Sequence, residues 1–523
     1  MKFEKIFISI FFISFLTIGL NVYKDYGISV DEVGYRHQGV TILYTLNDYF
    51  FPEFSEKIAS GKDYFTIPEL QKTQIFSGIP FHIFTTILEF LSGAKNKVEA
   101  LQLKHLLTFL VFFLGVYCFF LILNLKFKNY KFALLGASFL ILSPRIFAQS
   151  FYNPNDIPFM SSIIFISYFY LKFFQKFKTK HLIYSCIFSS ISICLRPMAI
   201  YMPALFMIGL IYIFSIKKID LNTLLKKIFI FIILILILSY ILNPPIWISP
   251  IKIFIQQFQW AINSSVTDIL YLGKFYPNTE TPWHYLIVWI SVTTPILYLI
   301  LFFFGILKIL TNLISEIKVG FDKIKINDLF IFFVFLIPFV AAIVLSKSLL
   351  NGWRHLYFIY PFIIFISMIG LKWIFDKNKK LKYLIVFPIC LSLIDTSYTI
   401  YKNHPFQMTY FNLLAGKDVQ DKFELDYWGV SNKAAIKYIL DNDNRKKINI
   451  YGISRTKLSY TVDFFLYPEE QKIISLVKNI EEADYIITVY NGYVRRKDII
   501  NDKFKIFNEI KSGDAIINST FIK

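Results

Sequence analysis

Charge is scarce in this sequence. Asp, Glu, Lys and Arg make up 17% of its 523 residues, while apolar side chains make up 55%. A soluble globular chain is typically about a quarter charged and no more than about half apolar, so an ordinary soluble domain is excluded. Cysteine is scarce too. The four present, Cys118, Cys186, Cys194 and Cys390, each fall in an apolar block without metal-ligand or redox-pair spacing, and read as small buried hydrophobes. There is no Walker loop, no G-x-G-x-x-G and no H-E-x-x-H, which removes the signatures of soluble nucleotide and zincin chemistry. The seven His are scattered. No metal motif emerges, a divalent cation stays compatible with the residues, and the cofactor requirement is open. Internal repeats and low-complexity linkers are absent as well.

What is there is a series of long apolar blocks, each of the size that spans a bilayer, about twenty residues. Spans are expected at about 6–22, 103–123, 132–142, 157–174, 182–195, 198–216, 228–242, 283–310, 329–345, 356–374 and 384–400. The fold class is therefore a mainly α, polytopic transmembrane protein of about eleven spans. The first run lacks a small-residue cleavage site and reads as a retained helix. The net charge of +19 does not imply a nucleic-acid partner, because most lysines sit in short loops between apolar blocks. With the N-terminus inside, cytoplasmic connections carry groups such as Lys172, Lys176, Lys178 and Lys180, or Lys377, Lys379, Lys380 and Lys382. The opposite side holds few cations. This asymmetry predicts a multi-pass protein of the cell inner (plasma) membrane with a cytoplasmic N-terminus and an extracytoplasmic tail.

The expected organisation is a transmembrane domain over 1–401, with long outside loops at 23–102 and 244–282, and a small extramembrane α/β domain over 402–523. IPFHIFTTILEFL and IKIFIQQFQWAINSS read as amphipathic stretches lying on the membrane surface. In the tail, KAAIKYIL suggests a helix, while INIYG and DYIITVY suggest buried strands.

Ionisable residues near span ends on the outer side are costly and mark function. GISVDEVGYRHQG follows the first span with Asp31, Glu32, Arg36 and His37. Adjacent helical residues point about 100° apart, so Asp31 and Glu32 need not share a role. SPRIFAQSFYNPNDIP brings Arg145, Asn153, Asn155 and Asp156, the last also placed as a helix cap would be. Arg196 in LRP, with Lys347, Arg354 and His355 in SKSLLNGWRHLYFIYP, completes the set. Cations on the outer face run against the positive-inside trend. A bound lipid phosphate would account for them, and so would pairing with Asp31, Glu32 or Asp156. Carboxylates and cations around a membrane-embedded core suit proton removal from an acceptor while a lipid-phosphate leaving group departs. They suit equally the alternative of a transporter or flippase of lipid-linked saccharides.

In their order, SVDEVGYR, SPRIFAQSFYNPNDIPF, TPWHYLIVWISVTTP, NGWRHLYFIYP, and HPFQMTYFN followed by DYWG resemble the membrane-embedded glycosyltransferases of the GT-C fold. More narrowly, they resemble bacterial members of glycosyltransferase family 39, relatives of protein O-mannosyltransferases and of the aminoarabinose transferase that modifies lipid A. The resemblance implies a polyprenyl-phosphate sugar as donor, an unassigned glycan, lipid or protein acceptor, and transfer on the extracytoplasmic face. It implies Asp31 as catalytic base, Glu32 in support and Asp156 as the second acidic residue. By position, Arg145, Arg196, Lys347, Arg354 and His355 become candidates for the donor phosphate. Metal use does not carry over from the resemblance. Partners besides the donor and acceptor are membrane lipids, with no nucleic acid among them.

Overall fold

The computed structural model of the chain describes residues 2–50, 77–247, 249–262, 267–345, 351–377, 379–454, 456–491 and 503–523. Among the described residues nine helices are long and apolar enough to cross a bilayer, from Phe3–Val22 and Lys97–Phe127 to Gly352–Lys377 and Tyr383–Lys402. Tyr130–Ile141 and Pro144–Tyr152 are an apolar pair of helices bent by 69° at the break between them, and Thr179–Leu195 is a shorter apolar helix. Together these account for the runs read from the sequence, and the chain is a multi-pass membrane protein.

One run is interrupted. Residues 283–310 were expected as a single span but divide into Tyr285–Thr293 and Ile296–Val319. Between them Thr294 is extended (φ −103°, ψ 137°) ahead of Pro295. A proline ring clashes with a helical residue before it, which stops the first helix.

Helix starts follow the polar residues beside them. Asn96 opens Lys97–Phe127 by accepting from the Glu99 amide at 3.0 Å, and Glu99 accepts from the Lys95 amide at 2.8 Å. Inside the membrane region, small polar side chains set helix contacts. Cys186, Ser190 and Cys194 donate to the carbonyls of Phe231, Ile235 and Ser239 at 3.8, 3.2 and 3.5 Å, tying Thr179–Leu195 to Leu221–Leu242 along one stripe. Cys390, expected to be buried, is exposed on the Lys379–Lys402 helix.

The two outer amphipathic stretches form the helices Ile79–Ser92 and Pro250–Ile262. Both expose some of their apolar residues, as helices lying on a bilayer surface do, while Ile79 and Phe81 of the first are buried. Phe84, Ile87 and Leu91 are exposed on the first, while His82, Thr85, Thr86 and Glu89 are buried. On the second, Ile251, Ile255 and Phe258 are exposed, and buried Gln257 exchanges hydrogen bonds with Asn243 at 2.9 and 3.3 Å.

The tail does not separate cleanly from the helices. Met408, Ala415, Phe423, Tyr427, Trp428 and Val430 belong to the same buried core as the membrane helices. A second core, around Ala435, Ile436, Ile448, Ile450 and Ile487, lies under a five-stranded sheet. Strand Ile448–Ile453 pairs in parallel with Ile474–Leu476 and Tyr485–Val489. Ala515–Ile522 adds antiparallel to Tyr485–Val489, and Lys505–Ser512 pairs antiparallel outside it. The helix Asn432–Asn442 and the two expected strands thus lie where KAAIKYIL, INIYG and DYIITVY placed them.

Candidate functional site

The site is built on three short stretches of backbone. The helix Val30–Phe50 begins at Ser29, whose hydroxyl donates to the Tyr152 carbonyl at 3.0 Å. This anchors its first turn against the Pro144–Tyr152 helix. One turn apart on one face, Asp31 and Tyr35 look toward that helix and its successor, whereas Glu32 and Arg36 look away. Glu32 accepts from the Ser29 amide at 2.8 Å and meets His105 Nε2 at 2.9 Å, with both side chains fully buried. Arg36 forms a two-point pair with Glu89 at 3.0 and 2.6 Å. The D-E dipeptide therefore divides, with Asp31 on the site and Glu32 on the packing between helices.

The second stretch, which falls between the spans expected at 132–142 and 157–174, is itself mostly helical. Arg145, Gln149 and Asn153 follow at one-turn spacing through Pro144–Tyr152 and its end, and Asp156 begins the helix Asp156–Lys176. Asn153 accepts from the Asp156 amide at 2.9 Å. Its own amide group donates to Asp156 Oδ2 at 2.9 Å and to Gln149 Oε1 at 2.8 Å. Gln149 Nε2 donates to the hydroxyls of Tyr357 and Tyr427 at 3.0 and 3.1 Å. Asp156 is thus turned into the site.

The third is the turn before Tyr360–Lys377. Gly352 (φ 70°) and Trp353 (φ 49°) are left-handed, and Trp353 Nε1 donates to Thr293 Oγ1 at 3.0 Å. A Cβ at Gly352 would stand 3.2 Å from the Tyr427 ring and 3.3 Å from Arg145 Nη1, so a side chain would crowd this corner. The turn delivers Arg354 between the two carboxylates. Its Nη1 is 2.6 Å from Asp31 Oδ2 and 3.7 Å from Asp156 Oδ2. Arg196 donates from Nη2 to Asp156 Oδ1. His355 is within electrostatic reach of Arg196 and Arg354. The Tyr35 phenol, which accepts from Asn155 Nδ2 at 3.0 Å, lies among Asp31, Asp156, Arg196 and Arg354, and burial raises its pKa well above the ordinary value. Lys347 lies outside the described residues.

The candidate cations are not alike. Arg354 and Arg196 are paired with carboxylates, whereas Arg145 has no acidic partner among the described residues. Its Nε donates to the Tyr410 carbonyl at 2.9 Å, and its guanidinium stacks against Phe411 (4.5 Å) and Trp289 (5.1 Å). It is 3% exposed, and neither Nη1 nor Nη2 has a hydrogen-bond partner among the described residues. The Nε atoms of Arg196 and Arg354 are likewise buried without one. Two guanidinium groups thus meet two carboxylates, and the third, Arg145, lies by Tyr357 and Tyr427, which Gln149 and Asn153 link to Asp156, so the region carries an excess of positive charge that favours an anion. Asp31 keeps an open side, its side chain 27% exposed against 2% for Asp156. Among the described residues no three His, Cys, Asp or Glu side chains gather as a metal site would.

Sequence reasoning passed over Gln149, Tyr357, Tyr35, Tyr427 and Trp428. The one-turn spacing of Arg145, Gln149 and Asn153 was a usable signal for the first. DYWG was noticed without a role.

No family model matches the chain, and no curated protein sequence does. Among solved structures, the apo crystal structure of ArnT from Cupriavidus metallidurans aligns over 98% of this chain and 97% of its own, with TM-score 0.51 and 12% identity. ArnT from the same organism bound to undecaprenyl phosphate gives TM-score 0.49 at the same coverages and identity. The apo oligosaccharyltransferase of Archaeoglobus fulgidus aligns over 88% of this chain and 66% of its own, with TM-score 0.45 and 9% identity. At such identities the likeness is one of fold. The chain is a multi-pass membrane protein with the GT-C fold.

Proposed function

We propose that the protein is a glycosyltransferase of the extracytoplasmic face of the plasma membrane, moving a sugar from a polyprenyl-phosphate donor to a glycan, lipid or protein acceptor. The observation that carries this reading is Arg145, a buried guanidinium with no acidic partner among the described residues, whose neighbours Tyr357 and Tyr427 are linked through Gln149 and Asn153 to the carboxylate–arginine network open at Asp31. Burying a cation without a counter-charge is costly, and a site that tolerates one is prepared for an anion. The sequence resemblance supports a lipid phosphate as that anion.

In the proposed reaction Asp31 takes the proton from the acceptor hydroxyl or amine as its oxygen or nitrogen bonds to the anomeric carbon. The bond from that carbon to the phosphate oxygen breaks on the opposite face, which inverts the configuration. Polyprenyl phosphate departs with its growing charge held by Arg145 and Arg354, and Asp156 with Arg196 keeps Arg354 in place. Glu32 supports the site by fixing the helix that carries Asp31.

Binding of polyprenyl phosphate to the full-length protein in nanodiscs tests the reading. Arg145→Met keeps the apolar stem and removes the charge, and should weaken binding about tenfold or more. Equal affinities for wild type and variant would contradict it.

A further inference from the structure

DYWG, residues 426–429, lies beyond the last span, yet two of its side chains enter the site. Asp426 folds the segment on itself, its carboxylate accepting from the amides of Val430 and Ser431 at 2.9 and 2.8 Å. Gly429 is left-handed (φ 71°), and a Cβ there would come within 2.4 Å of Thr456 Oγ1, so this tight turn takes glycine. The turn sends Tyr427 and Trp428 inward, each buried. Tyr427 accepts from Gln149 Nε2 at 3.1 Å through its hydroxyl, and its carbonyl accepts from Asn491 at 3.4 Å, just past the sheet strand Tyr485–Val489. Trp428 presents its ring to the Arg354 guanidinium, 4.8 Å from the ring centre, and meets Tyr152 edge-on at 5.8 Å. Tyr152 is the residue whose carbonyl holds Ser29, two positions before Asp31.

We propose that Tyr427 and Trp428 are positioning residues of the transfer reaction, Trp428 orienting Arg354 from behind and Tyr427 orienting Gln149. This rests on the reading of the site as one for a polyprenyl-phosphate donor. Arg354 has carboxylate Asp31 on one side and an aromatic face on another. Such a face holds a desolvated guanidinium in a plane without competing for its hydrogen bonds, so its N–H groups stay aimed at carboxylate or phosphate. It follows that the extramembrane tail is joined to the donor site through this segment and is not an independent appendage.

The test is donor titration with the full-length protein in proteoliposomes, using a radiolabelled polyprenyl-phosphate sugar and a membrane extract as acceptor source. Trp428→Leu should raise the donor KM about tenfold with a smaller change in kcat, and Trp428→Phe, which keeps an aromatic face, should restore most of it. Tyr427→Phe removes one oxygen from the interior and should raise the donor KM about two- to fivefold. That second variant decides the matter if Trp428→Leu does not fold. Equal loss in Trp428→Phe and Trp428→Leu, or a donor KM unmoved in Tyr427→Phe and Trp428→Leu, would overturn the positioning role. Absence of transfer by the wild-type protein would overturn the underlying functional reading instead.

Discussion

Asp31 and Arg354, separated by 323 residues in the chain, meet in a hydrogen-bonded ion pair of 2.6 Å. Asp31 sits in the first turn of the helix that follows the first span, and Arg354 just after the left-handed turn ahead of the helix Tyr360–Lys377. The pair joins the helix after the first span to the turn before Tyr360–Lys377 and places a carboxylate beside the cation proposed to receive a leaving phosphate. The same guanidinium can turn from the carboxylate to a phosphate oxygen, which would leave Asp31 able to accept a proton.

Arg145 makes a prediction about stability opposite to its prediction about binding. Removing a buried charge that has no counter-charge among the described residues relieves a desolvation cost, while the lost stacking and the lost bond to Tyr410 offset that gain. Arg145→Met should therefore fold with a thermal midpoint at or above the wild-type value, while losing affinity for polyprenyl phosphate. A midpoint lowered together with the affinity would make Arg145 a structural residue.

Glu32 should behave in the reverse manner to its neighbour. Glu32→Ala leaves His105 Nε2 and the Ser29 amide without their carboxylate in the interior, at a cost of about 3 kcal/mol. Glu32→Gln keeps a hydrogen-bonding oxygen and should retain much of the stability. Thermal unfolding in detergent compares the two. A Glu32→Ala protein as stable as wild type would move this residue out of the packing role.

Lys433 ties the tail to the loop after the first span, donating to the carbonyls of Lys24, Asp25 and Tyr26 at 2.6, 3.1 and 3.2 Å. Burial lowers its pKa to about 8. A lysine depressed in the folded state destabilises most below that value. Its contribution improves as pH rises through about 8 toward the ordinary lysine range, because the folded state releases the proton first. The stability of wild type relative to Lys433→Met should therefore increase between pH 7 and 10, measured as the difference in thermal midpoints. A difference constant over that range would contradict the assignment.

Much of the membrane architecture was legible, because a bilayer demands long uninterrupted apolar helices and little else satisfies it. What hydropathy could not register was direction. The run 283–310 is uniformly apolar, yet Pro295 divides it. The helices Ile79–Ser92 and Pro250–Ile262 carry an amphipathic signal that does not say which side chains pack inward: Ile79, Phe81, His82 and Glu89 do on the first, and Gln257 does on the second, where Lys252, Gln256 and Gln259 stay exposed. In the site, the costliness of outward charges singled out Asp31, Asp156, Arg196 and Arg354, which the structure brings together. Their pairing was not readable, since Asp31 and Arg354 belong to distant helices. Tyr427 and Trp428 escaped because aromatic side chains in a tail look like ordinary core until a guanidinium is seen lying against one.

Sugar transfer by reconstituted protein tests the central claim most directly. Wild type and Asp31→Asn, inserted to equal levels in vesicles, would receive a radiolabelled polyprenyl-phosphate sugar and a membrane extract as acceptor source. Label should pass to a new product with wild type, and Asp31→Asn should slow this about a hundredfold or more. Undiminished transfer by Asp31→Asn would remove Asp31 as the base, and label that only crosses the bilayer, equally with both proteins, would make this chain a carrier of lipid-linked sugar.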